Sequence, residues 1–198
     1  MSEPKGLSAV QDATQGSKEN EELALEQLRK AEVFKNAGNE ALKAGDMKKA
    51  LRSYHMAHLH TRLAVKATTP IQRKRSEDDF EERSARMSPL QKKVCAAHVP
   101  VVNNLSVCHL KKGNWARVIE LCTEVLDFED NAKAFMRRAK AYYHLNKQLL
   151  CRRDLDHAMT LSPDDPGLAE LDKKLKQREV DSARKGNKAL ANNLKAMF

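Results

Sequence analysis

Between Asn131 and Pro163 the apolar residues fall into two helical registers set back to back. Phe135, Ala139 and Tyr142 recur at i, i+4 and i+7, and Leu150, Leu155, Ala158 and Leu161 follow after a short break. Each set marks one face of a helix. Asn146 stands between them and can leave a helix through a left-handed conformation, so the pattern predicts a helix, a tight turn and a second helix. Ala139 and Ala158 are small enough for the two backbones to approach closely, with Phe135, Tyr142 and Leu155 filling the space beside that contact.

The pattern occurs twice more upstream. From Val102 to Asp130 it places Ser106 at the close-packing position, Gly113-Asn114-Trp115 at the turn, and Cys122 and Val125 in the second helix. From Phe34 to Ala57 it places Gly38, the turn Gly45-Asp46, then Ala50, Tyr54 and Ala57. This order of small and large positions, closed in the last unit by Ser162-Pro163, resembles the tetratricopeptide repeat, a hairpin unit of about 34 residues that must stack on copies of itself to bury its faces. Gly113 lies 68 positions after Gly45, so about one unit length is inserted between the first two hairpins.

Read in order, residues 1–20 are polar and predicted to be a disordered tail. Leu23, Leu25, Leu28, Ala31 and Phe34 predict a long first helix from Glu21 to about Ala44. Repeat 1 then occupies about 31–67, an insertion 68–88, repeat 2 about 89–130 and repeat 3 about 131–163. A C-terminal capping helix fills 165–198, with Leu168, Leu171 and Leu175 facing the last hairpin. The insertion's charge-mixed segment, residues 72–86, is expected to be a mobile loop or a solvated helical extension. Ser88-Pro89-Leu90-Gln91 has the form of a capping box with proline in the first turn. Pro100 predicts a kink in the helix that follows. Gly186-Asn187 predicts a break before a short amphipathic end containing Leu190, Leu194, Met197 and Phe198. The fold class expected is all-α: three helical hairpins plus a capping helix, a right-handed solenoid.

Composition narrows the chemistry. With 41% hydrophobic and 32% charged residues, the 198-residue chain can bury a core of its own. No apolar run reaches the roughly 20 residues that cross a bilayer. The first twenty residues lack the apolar centre of a signal peptide, so a cytoplasmic location is expected. Cys95, Cys108, Cys122 and Cys151 form no C-x-x-C pair and fall on predicted helices, which favours buried thiols over disulfides or zinc. No cofactor and no metal are expected. The net charge of +9 is concentrated near the end, where residues 171–198 hold eight basic side chains against three acidic ones. Aromatics make up only 5% of the chain, too few to favour a stacking surface for nucleic acid.

Catalysis has little support: there is no G-x-S-x-G, no glycine-rich phosphate loop and no H-E-x-x-H. His55, His58 and His60 cluster, but no Cys, Asp or Glu adjoins them in sequence to complete a ligand set. A different constellation has more to offer. Lys35 and Asn39 stand at i, i+4 on the first helix of hairpin one, Lys133 and Arg137 at i, i+4 on that of hairpin three, and Asn104 on the matching face of hairpin two. Stacked hairpins would aim two ammonium groups, a guanidinium and two carboxamides at one place, which is a trap for anions.

The segments FKNAGNEA (34–41), NNLSVCHLKKGNW (103–115) and NAKAFMRRAKAY (131–142) are similar to the carboxylate-clamp tetratricopeptide domains of chaperone cofactors, and the insertion and basic end resemble the immunophilin co-chaperones and the tetratricopeptide repeat protein 9 group. The resemblance implies that Lys35, Asn39, Asn104, Lys133 and Arg137 bind the C-terminal acidic tail, Glu-Glu-Val-Asp, of heat-shock protein 90 or 70. Immunophilins carry an isomerase domain of about 100 residues ahead of their repeats. This chain has some thirty there, so no enzymatic activity is expected. Arg138 departs from the pattern by replacing an apolar residue. Two other readings compete: a general scaffold indifferent to a free carboxylate, and partner binding through the basic C-terminal helix.

Overall fold

The computed structural model of the chain describes residues 6–68 and 85–196. Seven helices lie among them: α1 (Gly6–Lys43), α2 (Met47–Ala67), α3 (Pro89–Lys111), α4 (Trp115–Leu126), α5 (Ala132–His144), α6 (Gln148–Leu161) and α7 (Pro166–Ala196). They pair as α1/α2, α3/α4 and α5/α6. The second helix of each hairpin rests on the first helix of the next, α1 also meets α3, α3 meets α5, and α7 closes the stack against α6.

The hairpins turn where the sequence permits positive φ. Gly45 (78°), Gly113 (70°) and Asn146 (58°) each hold the left-handed conformation one residue ahead of a helix cap, which ends a helix without a steric penalty at glycine and with a small one at asparagine. Asp46 and Asn114 then cap α2 and α4 by accepting from the backbone N–H groups of Lys49 and Arg117. Lys147, the third equivalent, makes no side-chain cap. At α3, Ser88 and Gln91 bond reciprocally, completing a capping box, while Pro100 sits exposed within an uninterrupted helix.

A main core runs through all three hairpins and includes Tyr54, Leu105, Leu121, Leu155, Leu168 and Leu175, all fully buried. The expected small positions Ala50, Ser106, Cys122, Ala139 and Ala158 are buried with it. Gly38 shows why one of them cannot grow: a Cβ there would lie 2.7 Å from the Tyr54 ring. A second cluster of Ala24, Leu28, Ala64 and Val94 ties the front of α1 to α2 and α3.

Several expectations are corrected. The first helix begins at Gly6 and not at Glu21, so the part of the 1–20 tail that is described is helical. Once Ala24 to Ala31 is packed, nucleation is already met, and extending the helix upstream adds one backbone hydrogen bond for each residue fixed. α7 runs through Gly186-Asn187 without a break. A single glycine costs about 1 kcal/mol in a helix interior, less than ending a helix flanked by lysine and alanine. In α6 the buried face is Cys151, Asp154, Leu155 and Ala158, whereas Leu150 and Leu161 are largely exposed. Most of the 72–86 insertion, Met197-Phe198 and the side chains of Leu190 and Leu194 lie outside the described residues.

Candidate functional site

The first helices of the hairpins, α1, α3 and α5, stand side by side, and the five expected residues lie on them. Asn104 Nδ2 on α3 donates to Asn39 Oδ1 on α1 at 3.2 Å. The same oxygen accepts the Tyr54 hydroxyl at 2.7 Å. Two donors on one oxygen fix the orientation of the Asn39 amide, so its Nδ2 is left to donate elsewhere. Burial raises the Tyr54 pKa, which keeps the phenol protonated as that donor.

Arg137 on α5 follows a different line. Its Nη1 donates to Oδ1 of Asn103, the neighbour of Asn104, at 2.7 Å. Burial lowers its pKa, yet a guanidinium remains charged at neutral pH and keeps further N–H groups for a ligand. Lys35, half-buried, and Lys133, exposed, lie one helical turn ahead of Asn39 and Arg137. Neither ammonium is ion-paired among the described residues. The structure therefore joins Asn39 to Asn104 directly and Arg137 to α3 through Asn103, and it leaves both lysines available. Two supporting residues escaped the sequence reading. Tyr54 was taken up by its core position, and Asn103 was passed over for its neighbour Asn104; the adjacent pair of asparagines was the available signal.

Arg138, the departure from the expected pattern, is explained by Asp154. The guanidinium makes two parallel bonds to that buried carboxylate, Nε to Oδ2 at 2.7 Å and Nη2 to Oδ1 at 2.8 Å, and a third to Thr123 Oγ1 at 3.0 Å. It staples α5 to α6 and α4 while Arg137, one residue earlier, faces the asparagines. The basic end is partly engaged within the molecule: Lys174 pairs with Glu170, Lys176 with Asp172, and Arg178 stacks on the Tyr143 ring at 3.6 Å. Of the scattered histidines, His60, His144 and His157 stack on Phe34, Trp115 and Phe135. His58 and His98 converge on Glu124. The expectation that no acid stands near the histidines therefore holds along the chain and fails in space. Cys108, Cys122 and Cys151 are buried, and burial pushes the Cys122 and Cys151 thiols up to about 11.

Three stacked helical hairpins closed by a seventh helix make this a tetratricopeptide-repeat fold, as the similarity to solved tetratricopeptide domains shows. No family model matches the chain. Among curated proteins it is 36% identical over 97 residues to peptidyl-prolyl cis-trans isomerase D of Eremothecium gossypii, a match covering 47% of this chain and 25% of that one. The chain spans about a quarter of the length of the curated relatives it matches. Among solved structures it is similar to the Hsp90 co-chaperone Cns1 from Saccharomyces cerevisiae, with 22% identity and a TM-score of 0.60 over 83% of this chain and 44% of that one. It is also similar to the myosin chaperone UNC-45 from C. elegans in complex with a Hsp90 peptide, with 26% identity and a TM-score of 0.54 over 76% of this chain and 14% of that one. No helix among the described residues is long and apolar enough to cross a membrane.

Proposed function

We propose that the chain is a non-enzymatic adaptor of the co-chaperone kind, working in the cytoplasm, whose groove receives the C-terminal acidic tail of heat-shock protein 90 or 70. The bound peptide's terminal carboxylate and the side chain of its last aspartate engage Lys35, Asn39, Asn104, Lys133 and Arg137. The observation that carries this reading is the hydrogen bond between Asn104 and Asn39 with the Tyr54 hydroxyl behind it. It holds carboxamides of two repeats together with donors left over, beside a helix bearing an unpaired lysine and a half-buried arginine. The likeness to UNC-45, whose structure holds a Hsp90 peptide, supports the same reading.

Each charge-assisted hydrogen bond contributes about 1.5 to 3 kcal/mol before ordering costs. A micromolar complex, about 8 kcal/mol, is the net expected. Calorimetric titration with a free and a C-terminally amidated acidic peptide tests it. The free peptide binds, the amidated one binds at least about tenfold more weakly, and added salt weakens the complex. Lys133→Ala with Arg137→Ala abolishes binding. Equal binding of both peptide forms points instead to a scaffold indifferent to the carboxylate.

A further inference from the structure

Behind the asparagine groove, three helices bring together side chains that no sequence motif connects. His58 on α2 and His98 on α3 are buried, the latter 1% exposed, and both aim Nε2 at the same oxygen of Glu124 on α4, at 3.0 and 3.2 Å. The three candidate ligand atoms lie within 4.8 Å of one another. A tetrahedral zinc ion with bonds of about 2.0 to 2.2 Å to nitrogen and oxygen sets its ligands roughly 3.4 Å apart, a spacing this cluster reaches with small adjustments.

The hydrogen bonds around His98 say which atom holds a lone pair. Thr61 has one hydroxyl hydrogen, directed to the backbone carbonyl of His58 at 3.1 Å. The Thr61 oxygen therefore accepts from His98 Nδ1, 2.9 Å away, and the neutral imidazole keeps its lone pair on Nε2. That nitrogen is buried and has no hydrogen-bond partner, being near the Glu124 oxygen but not aligned with it. A buried lone pair that meets no hydrogen is costly unless a cation occupies the space beside it. Thr61 in turn supplies the outer hydrogen bond that orients a metal-bound histidine.

We propose that His58, His98 and Glu124 bind a divalent transition-metal ion, zinc by preference, which ties the first repeat to the second. Two imidazoles and one carboxylate suit zinc and its neighbours, whereas magnesium and calcium require oxygen ligands. A water molecule would fill the fourth position, reached past Glu124, the most exposed ligand of the three. Arg62, which acts through space on His98, opposes a cation and sets a limit on affinity. The ion's role is structural, because its ligands come from α2, α3 and α4, on either side of the 68–88 insertion.

The test uses the full chain under reducing conditions. Competition against a chromophoric chelator is expected to give one zinc per chain, and zinc but not magnesium to raise the melting temperature. Glu124→Gln and His98→Gln each weaken zinc at least about tenfold, while His55→Gln and His60→Gln leave it unchanged. Where a ligand variant fails to fold, cobalt substitution of the unmutated chain decides. Tetrahedral visible bands without thiolate charge transfer support the site, and charge transfer from a cysteine overturns it. Zinc binding no tighter than magnesium, or unaffected by Glu124→Gln in a folded variant, also overturns it.

Discussion

At the scale of single residues, Arg138 and Asp154 show how a polar pair is accommodated inside a helical stack. Asp154 is buried and Arg138 nearly so, and two parallel hydrogen bonds compensate both for lost hydration. Asp154→Ala removes one partner and leaves a guanidinium in a site shaped for a carboxylate. It is expected to cost about 3 kcal/mol in urea unfolding, the low end for a broken buried pair because Arg138 retains some contact with solvent. Replacing both, as Arg138→Met with Asp154→Leu, is expected to recover most of that loss. The pair was invisible in sequence, where Arg138 stood out as a departure from the repeat pattern and Asp154, 16 positions away, carried no signal that the two would meet.

At the scale of elements, two helices carry departures that mutation can correct. α6 starts at Lys147 without a side-chain cap, although Asp46 and Asn114 serve that purpose at the equivalent turns. Lys147→Asp supplies an acceptor for the first-turn N–H groups and favourable charge at the helix N-terminus, so a gain of about 1 kcal/mol is expected in thermal or denaturant unfolding. In α3, Pro100 removes one backbone hydrogen bond in mid-helix. It faces solvent, so Pro100→Ala meets no packing conflict. A stabilisation of about 2 kcal/mol is expected, the helix gain less the added freedom of the unfolded chain. A chain destabilised by this change would mean that Pro100 shapes α3 for its neighbours.

For the whole molecule, stability against acid follows from a histidine buried without a partner. Neither ring nitrogen of His109 has a hydrogen bond. Burial first, then His55, Arg117 and Lys112, hold its pKa at about 4, with Glu120 acting in the opposite sense. The unfolded chain protonates this residue below about pH 6.5, whereas the folded one waits until about 4. Above 6.5 His109 contributes no pH dependence; as the pH is lowered from 6.5 to 4 the unfolded state binds the extra proton and stability decreases. His109→Gln is expected to flatten the melting temperature across that window relative to the unmutated chain. An unchanged slope would show that other groups account for the acid sensitivity.

The amino-acid order by itself determined the three hairpins and their turns, though not where α1 begins or that α7 continues through Gly186, since apolar spacing and the left-handed tolerance of Gly45, Gly113 and Asn146 act within a few residues. It also placed Lys35, Asn39, Asn104, Lys133 and Arg137 on the first helices of the three hairpins, because stacking repeats keep equivalent positions aligned. Only the tertiary structure decided which polar atoms meet. Asn39 with Tyr54 and Asn104, Arg137 with Asn103, Arg138 with Asp154, and Glu124 with two histidines all join residues far apart along the chain. Their partners depend on the rotation and depth of each helix in the stack, and helical periodicity carries no information about either. The same reason explains why Leu150 and Leu161 were misread: a helix register limits which faces can be buried, and the neighbouring helices select among them.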